Sequence, residues 1–128
     1  MAIVVRVDDR ERRAPVLPEL LRLGVRVSIE RLEVGDYVVG DTYGIERKTT
    51  DDLVDSIIDK RLFEQAKLLR EAYEKPLIII EGDLEETVAT RGVSANQLLG
   101  ALLALTEMGV PAVQVSSPQR TALVIYLL

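Results

Sequence analysis

The sequence predicts an α/β fold, a central mixed sheet flanked by helices, on three observations. Short β-branched apolar runs alternate along the chain with amphipathic helical stripes. Two strand-like runs are joined by a three-residue turn, which sets one hairpin into an otherwise largely parallel sheet. The length of 128 residues suits one core and one domain, spanning 1–128.

Taken in order, Ile3 to Val7 is apolar and β-branched and gives way to the polar run Asp8-Asp9-Arg10-Glu11-Arg12-Arg13, so it reads as a buried strand with charge at its carboxyl end. Pro15 suits a first helical turn, and Leu17, Leu20, Leu21 and Leu23 form a stripe that stops at Gly24. Val25 to Leu32 alternates as a strand, with Val25, Val27 and Ile29 on one face. Asp36 to Val39 and Tyr43 to Lys48 form the expected hairpin around Gly40-Asp41-Thr42.

Thr49 or Thr50 caps a helix whose apolar stripe is Leu53, Val54, Ile57 and Ile58, with Asp51 and Asp52 favourably placed in its first turn. A second helix runs from Leu62 to Glu74, with Leu62, Phe63, Ala66, Leu69 and Tyr73 inward and Pro76 ending it. Leu77 to Ile80 is a fully apolar strand closed by Glu81-Gly82-Asp83. Ser94 to Met108 is an apolar helix, Ala112 to Val115 the last strand, and Ser117-Pro118 opens a final helix. No repeat or linker interrupts this series.

The chain has no cysteine and no histidine, which removes disulfides, thiolate nucleophiles, serine–histidine triads and histidine- or cysteine-rich metal sites. What remains is chemistry by carboxylates, lysine, arginine and hard cations. The longest apolar stretches, Leu98 to Leu105 and Ala122 to Leu128, fall short of the roughly 20 residues that span a bilayer, so no membrane association is expected. The start, Met1-Ala2-Ile3-Val4-Val5-Arg6, lacks the order of regions of a secretory signal, and a cytoplasmic location follows as an expectation.

In a strand, residues two apart share a face at roughly 6.6 Å. Glu46 and Lys48 therefore project together while Ile45 and Arg47 point the other way. Asp36 lies on the partner strand of the hairpin, and Asp8 is the first polar residue after a buried strand, at the end where open α/β sheets gather their sites. Three carboxylates without imidazole or thiolate make a hard-oxygen site for Mg²⁺ or Mn²⁺, suited to phosphodiester hydrolysis. Lys48 would orient or deprotonate the water, or offset charge on phosphorus. Each piece alone has a plainer reading: a solvated strand end for Glu46-Arg47-Lys48, a turn for Gly35-Asp36, a turn or helix cap for Asp8-Asp9, and a solvated helix face for Asp52, Asp55 and Asp59.

The arrangement as a whole resembles a known family. Gly35-Asp36, nine residues, Glu46-Arg47-Lys48, three residues and Asp52 is similar to the signature GDXnERKX3D of XPF-type structure-specific endonucleases. Val7-Asp8-Asp9-Arg10-Glu11 resembles the family's preceding VDXRE segment, and Arg61-Leu62-Phe63-Glu64-Gln65 its RLXXQ element. The nearest resemblance is to archaeal XPF and Hef nuclease domains. It implies a restriction-endonuclease-like core in which Asp36, Glu46 and Lys48 are the acid, acid and lysine, with Asp8 and Glu11 as further acids beside the metal. It also implies that Arg10 and Arg47 hold phosphate or the acids in place. Asp52 then supports the site, and Arg61 and Gln65 lie near the scissile strand of a branched DNA: a 3′ flap, splayed arm or fork in repair or fork processing. A nucleoid association in an archaeon goes with it.

Such proteins carry tandem helix-hairpin-helix motifs after the nuclease domain, and none occurs in these 128 residues. Duplex binding through that region, with any sliding-clamp contact, would lie elsewhere. This eases the objection raised by a net charge of −5, since DNA-binding domains are usually basic. Arg6, Arg10, Arg12 and Arg13 still cluster. The family also dimerises, and the helix from Ser94 to Met108 is apolar around nearly its whole circumference, while Ala122 to Leu128 is apolar throughout. A homodimer through Leu99, Leu102, Leu103 and Ile125 is the corresponding expectation.

Overall fold

The computed structural model describes residues 3–128. Met1 and Ala2, which begin the segment read as lacking a secretory signal, lie outside the described residues. The fold is a six-stranded mixed sheet in the order β2-β1-β3-β4-β5-β6, with helices on both faces. Strand β1 (Val4–Asp8) runs parallel to β2 (Arg26–Glu30) and antiparallel to β3 (Tyr37–Val39); β3 and β4 (Tyr43–Thr49) are the expected hairpin. Strands β5 (Lys75–Glu81) and β6 (Ala112–Val115) then add in parallel. The carboxyl ends of β1, β4 and β5 therefore share one edge of the sheet.

The strand and helix periods divide the apolar residues between two cores. On one face, α1 (Val16–Arg22) and α6 (Pro118–Leu127) cover Val5, Val7, Tyr37, Ile45 and Ile79. On the other, α2 (Thr50–Ile58), α3 (Leu62–Ala72) and α5 (Ala95–Glu107) cover Ile78 and Ile80. Alternate residues of β5 feed alternate cores, which is why this strand is apolar without interruption.

The caps fall where the side chains permit them. Thr49, Ser94 and Ser117 each accept a backbone N–H in the first turn of α2, α5 and α6, and Ser94 with Gln97 closes a capping box. Three expectations need correction. Phe63 is 45% exposed, because the buried stripe of α3 is Leu62, Ala66 and Leu69, and residue 63 falls beside it. Pro76 does not end α3: Tyr73 is already extended, and Pro76 sits inside β5 opposite Gly44. A further helix, α4 (Leu84–Arg91), follows β5, capped by Asp83 and stopped at left-handed Gly92.

The apolar helices are only partly accounted for within the domain. Leu98, Ala101 and Leu105 of α5 are buried and Leu102 packs against them, whereas Leu99 and Leu103 are 58% and 66% exposed. Ile125, expected at a dimer interface, is 1% exposed and belongs to the domain's own core beneath α6. Residues 126 and 127 carry that helix's exposed apolar surface. Among the described residues, no helix is long and apolar enough to cross a membrane.

Candidate active site

The hairpin fixes the acid pair. Asp36 precedes β3 and ties into both of its neighbours: its N–H donates to the Ile45 carbonyl of β4 at 2.7 Å and its carbonyl accepts from the Asp8 N–H of β1 at 2.8 Å. The β3–β4 register ends at Tyr37 opposite Ile45, and the Arg47 N–H, donating to Asp36 Oδ2 at 2.8 Å, draws the Asp36 carboxylate to the next residues of β4, where it lines one cleft with Glu46. Gly35, with φ of 88°, makes the left-handed turn into this position. The turn is held from behind by Tyr73, whose hydroxyl donates to the Val34 carbonyl at 2.6 Å. Gly44 leaves room for that ring, since a Cβ there would lie 1.9 Å from Tyr73 Cδ2.

Asp36, Glu46, Arg47, Lys48, Asp52, Glu11, Arg10 and Arg61 line one open cleft of ≈ 290 Å³ at the carboxyl edge of the sheet. Asp55, one helical turn beyond Asp52, joins them. Gln65 lines a neighbouring groove, which shares Arg10, Asp36 and Glu46 with the cleft.

Asp8 differs from expectation. Its carboxylate is fully buried and does not line the cleft. Oδ1 accepts from the Leu32 N–H at 2.8 Å and from Arg10 Nη2, while Oδ2 accepts from the N–H and Nε of Arg10. Burial alone would raise its pKa, but these bonds outweigh burial and hold it below the usual aspartate value. Its place is that of an anchor for Arg10 and the loop at Leu32, not of a ligand with free lone pairs.

The remaining acids are strained electrostatically. Burial, then the charge of Asp36, pushes Glu46 up to about 7, with Lys48 opposing. Burial, again with Asp36, pushes Glu11 up to about 7 against the pull of Arg47. Asp36 is also raised, chiefly by burial, although the Arg47 N–H donates to its Oδ2 at 2.8 Å. Raised carboxyl pKa values grouped at an open cleft are the electrostatic mark of a candidate functional site.

Whether a divalent ion fits follows from the donors. Asp36 keeps one oxygen free of protein hydrogen bonds, and Glu46 keeps both, among the described residues. No group of three acidic side chains there is already drawn together as a metal cage. Two carboxylates lining one cleft with open coordination suit Mg²⁺, which keeps several waters and takes one or two carboxylates together with substrate phosphate. The acids present therefore fit such an ion.

Arg47 lies on the opposite face of β4 from Glu46 and Lys48, as strand alternation requires. There it meets a residue that sequence reasoning missed. Glu81, at the end of β5, accepts from Arg47 Nε at 3.0 Å and Nη2 at 2.7 Å, while Nη1 stands 3.5 Å from Glu11 Oε2. Thr121 of α6 donates to Glu81 Oε2 at 2.5 Å. The only signal in the sequence was a charged residue closing an apolar strand, which is equally the mark of an ordinary strand end. Arg91 of α4 was missed as well; it pairs with Asp51 and Asp55 on α2 and so reaches the cleft indirectly.

A mixed sheet with helices on both faces, gathering acids and a lysine in a cleft at one edge, defines an α/β domain with an acidic candidate site at its strand ends. The chain matches the model of the ERCC4 domain over residues 7–128 and belongs to that family. It is 45% identical over 87 residues to the 3′-flap repair endonuclease Xpf of Saccharolobus solfataricus, covering 67% of this chain and 37% of the relative. It is 35% identical over 95 residues to the DNA repair endonuclease XPF of Mus musculus, covering 72% of this chain and 10% of that protein. XPF from Aeropyrum pernix, solved in complex with DNA, superposes with a TM-score of 0.88 at 40% identity, covering 97% of this chain and 62% of that one. The chain thus spans little more than a third of the Saccharolobus relative's length and under two thirds of the Aeropyrum chain.

Proposed function

We propose that this domain hydrolyses a phosphodiester of branched DNA near a duplex–single-strand junction, with Asp36, Glu46 and Lys48 at the reacting centre and Mg²⁺ or Mn²⁺ as cofactor. The observation that carries the reading is that Asp36, Glu46 and Lys48 line one open cleft, with the Asp36 and Glu46 carboxyl pKa values raised. The names of the relatives point to the same substrate class. A bound divalent ion would polarise the phosphodiester and make hydroxide available near neutral pH.

The chain's own residues supply the rest. Asp36 and Glu46 would hold the cation between the strands, and buried Lys48, two positions beyond Glu46, would place positive charge where charge develops on phosphorus. Arg10, whose side chain is 62% exposed and whose guanidinium is held by Asp8, and Arg61 would contact the phosphates on either side. Exposed Leu99 and Leu103 on α5, with partly buried Leu102 beside them, support a homodimer across that helix. Any sliding-clamp contact belongs to regions beyond this domain, and a cytoplasmic, nucleoid-associated location goes with the substrate.

Nicking of a labelled 3′-flap duplex in millimolar Mn²⁺ tests the reading. The unmodified chain is expected to cut one strand near the junction, and Asp36→Asn, which keeps the acceptor for the Arg47 N–H but loses the charge, is expected to lose at least about a hundredfold in rate. Equal cutting by the two proteins would remove the site assignment.

A further inference from the structure

The guanidinium of Arg47 is held on both sides within the fold. Its Nε and Nη2 are taken by Glu81, its Nη1 faces Glu11, and its own backbone N–H is bonded to Asp36. Glu81 is 7% exposed and Thr121 is fully buried. Thr121 donates to the same Glu81 oxygen that accepts Arg47 Nε, which leaves little freedom in the carboxylate's orientation. Burying an arginine between two carboxylates gains little net stability, because desolvation offsets most of the attraction. A geometry kept in spite of that cost serves to fix position. What it fixes is Arg47, which in turn restrains Glu11 through the side chain and Asp36 through the backbone, both at the wall of the cleft.

We propose that Glu81 and Thr121 are positioning residues of the reaction: they clamp Arg47 from α6 and β5, and the clamped arginine holds Glu11 and Asp36 in place. The proposal rests on the nuclease reading given above. The link runs from the C-terminal helix through the sheet to the cleft, over 40 residues of sequence between Thr121 and Glu81 and 34 between Glu81 and Arg47. Other cavities carry less. The apolar groove between α4 and α5 shares Leu99 and Leu102 with the expected dimer face, and nothing seats a distinct occupant there.

Two measurements on Glu81→Gln and Thr121→Val test the clamp. In a ¹H–¹⁵N spectrum the Arg47 Nε–H, assigned by its absence from Arg47→Lys, should be sharp and slow to exchange in the unmodified protein. It should broaden or vanish in Glu81→Gln and shift in Thr121→Val. On the flap substrate, the single-turnover rate should fall roughly ten- to a hundredfold in Glu81→Gln and less in Thr121→Val. DNA affinity in EDTA should stay within about twofold, because a positioning role lowers the chemical step and not binding. In an Arg47→Lys background, Glu81→Gln should add no further loss, since both changes act through one group. An unchanged Nε–H signal, an unchanged rate, or an equal penalty in the Arg47→Lys background would each overturn the clamp. A failure of the unmodified protein to nick would instead overturn the nuclease reading, while the spectrum still reports on Arg47. Thr121→Val keeps the shape of the side chain and serves if Glu81→Gln fails to fold.

Discussion

At the scale of single residues, Glu11 and Glu46 set how the metal-free protein responds to pH. Both carboxyls are raised to about 7 in the fold, chiefly by burial, from the ordinary glutamate range. A folded-state pKa above the unfolded one gives stability that is present below about pH 4.5 and lost as pH rises through about 7. The melting temperature in EDTA is therefore expected to fall by several degrees between pH 5 and pH 8. A divalent ion competes with these protons, so its stabilising effect should be larger at pH 8 than at pH 5.5, and calorimetry should register proton release on binding near neutral pH. A melting temperature flat across this range, or stabilisation by Mg²⁺ that is stronger in acid, would contradict the assignment of the acids. Asp8 shows why residue type alone misleads. Its sequence position matches that of Asp36 as an acid at a strand end, and only the N–H of Leu32, far along the chain, reveals that its oxygens are already taken.

At the scale of elements, the turn between α2 and α3 stores strain beside the cleft. Lys60 has φ of 60° and is the one non-glycine in that region among the described residues. Its N–H donates to Ile57 and that of Arg61 to Ser56, which is the left-handed helix ending that glycine serves best. Lys60→Gly is expected to raise stability by about 0.5–1 kcal/mol, because relief of the left-handed strain outweighs the entropy lost to a more flexible unfolded chain. Thermal denaturation checks it, and a lowered melting temperature would show that the lysine side chain stabilises the turn. Most elements were legible because their periods are local: the hairpin from Gly40-Asp41-Thr42, α5 from Ser94 and its stripe, β5 from its unbroken apolar run. Helix α4 was not, since Glu85, Glu86 and Thr90 leave little apolar stripe, although Asp83, Glu86 and Gly92 are a start and a stop signal. The Glu46–Lys48 face followed from strand alternation, whereas Glu81 and Thr121 depend on which strands and helices the fold sets side by side.

At the scale of the molecule, the three-layer arrangement answers only part of the apolar surplus. Leu103→Glu, at a position 66% exposed, is expected to convert a dimer to a monomer with little change in melting temperature. Ile125→Glu should unfold the domain instead, because it buries a charge in the core beneath α6. Sedimentation distinguishes them, and a 14.2 kDa species for the unmodified chain at micromolar concentration would overturn the dimer. The strand order has a further consequence for how the molecule comes into being. Apart from β3, which returns to β1, each later strand is laid beside the one made just before it: β2 on β1, β4 on β3, β5 on β4, β6 on β5. A chain emerging from the ribosome amino end first always finds the docking edge of its next strand already synthesised. By this schedule the frame of Asp36, Glu46 and Lys48 is available early. Arg47 waits for Glu81 and then for Thr121, so an incomplete chain displays its acids before it can hold them still.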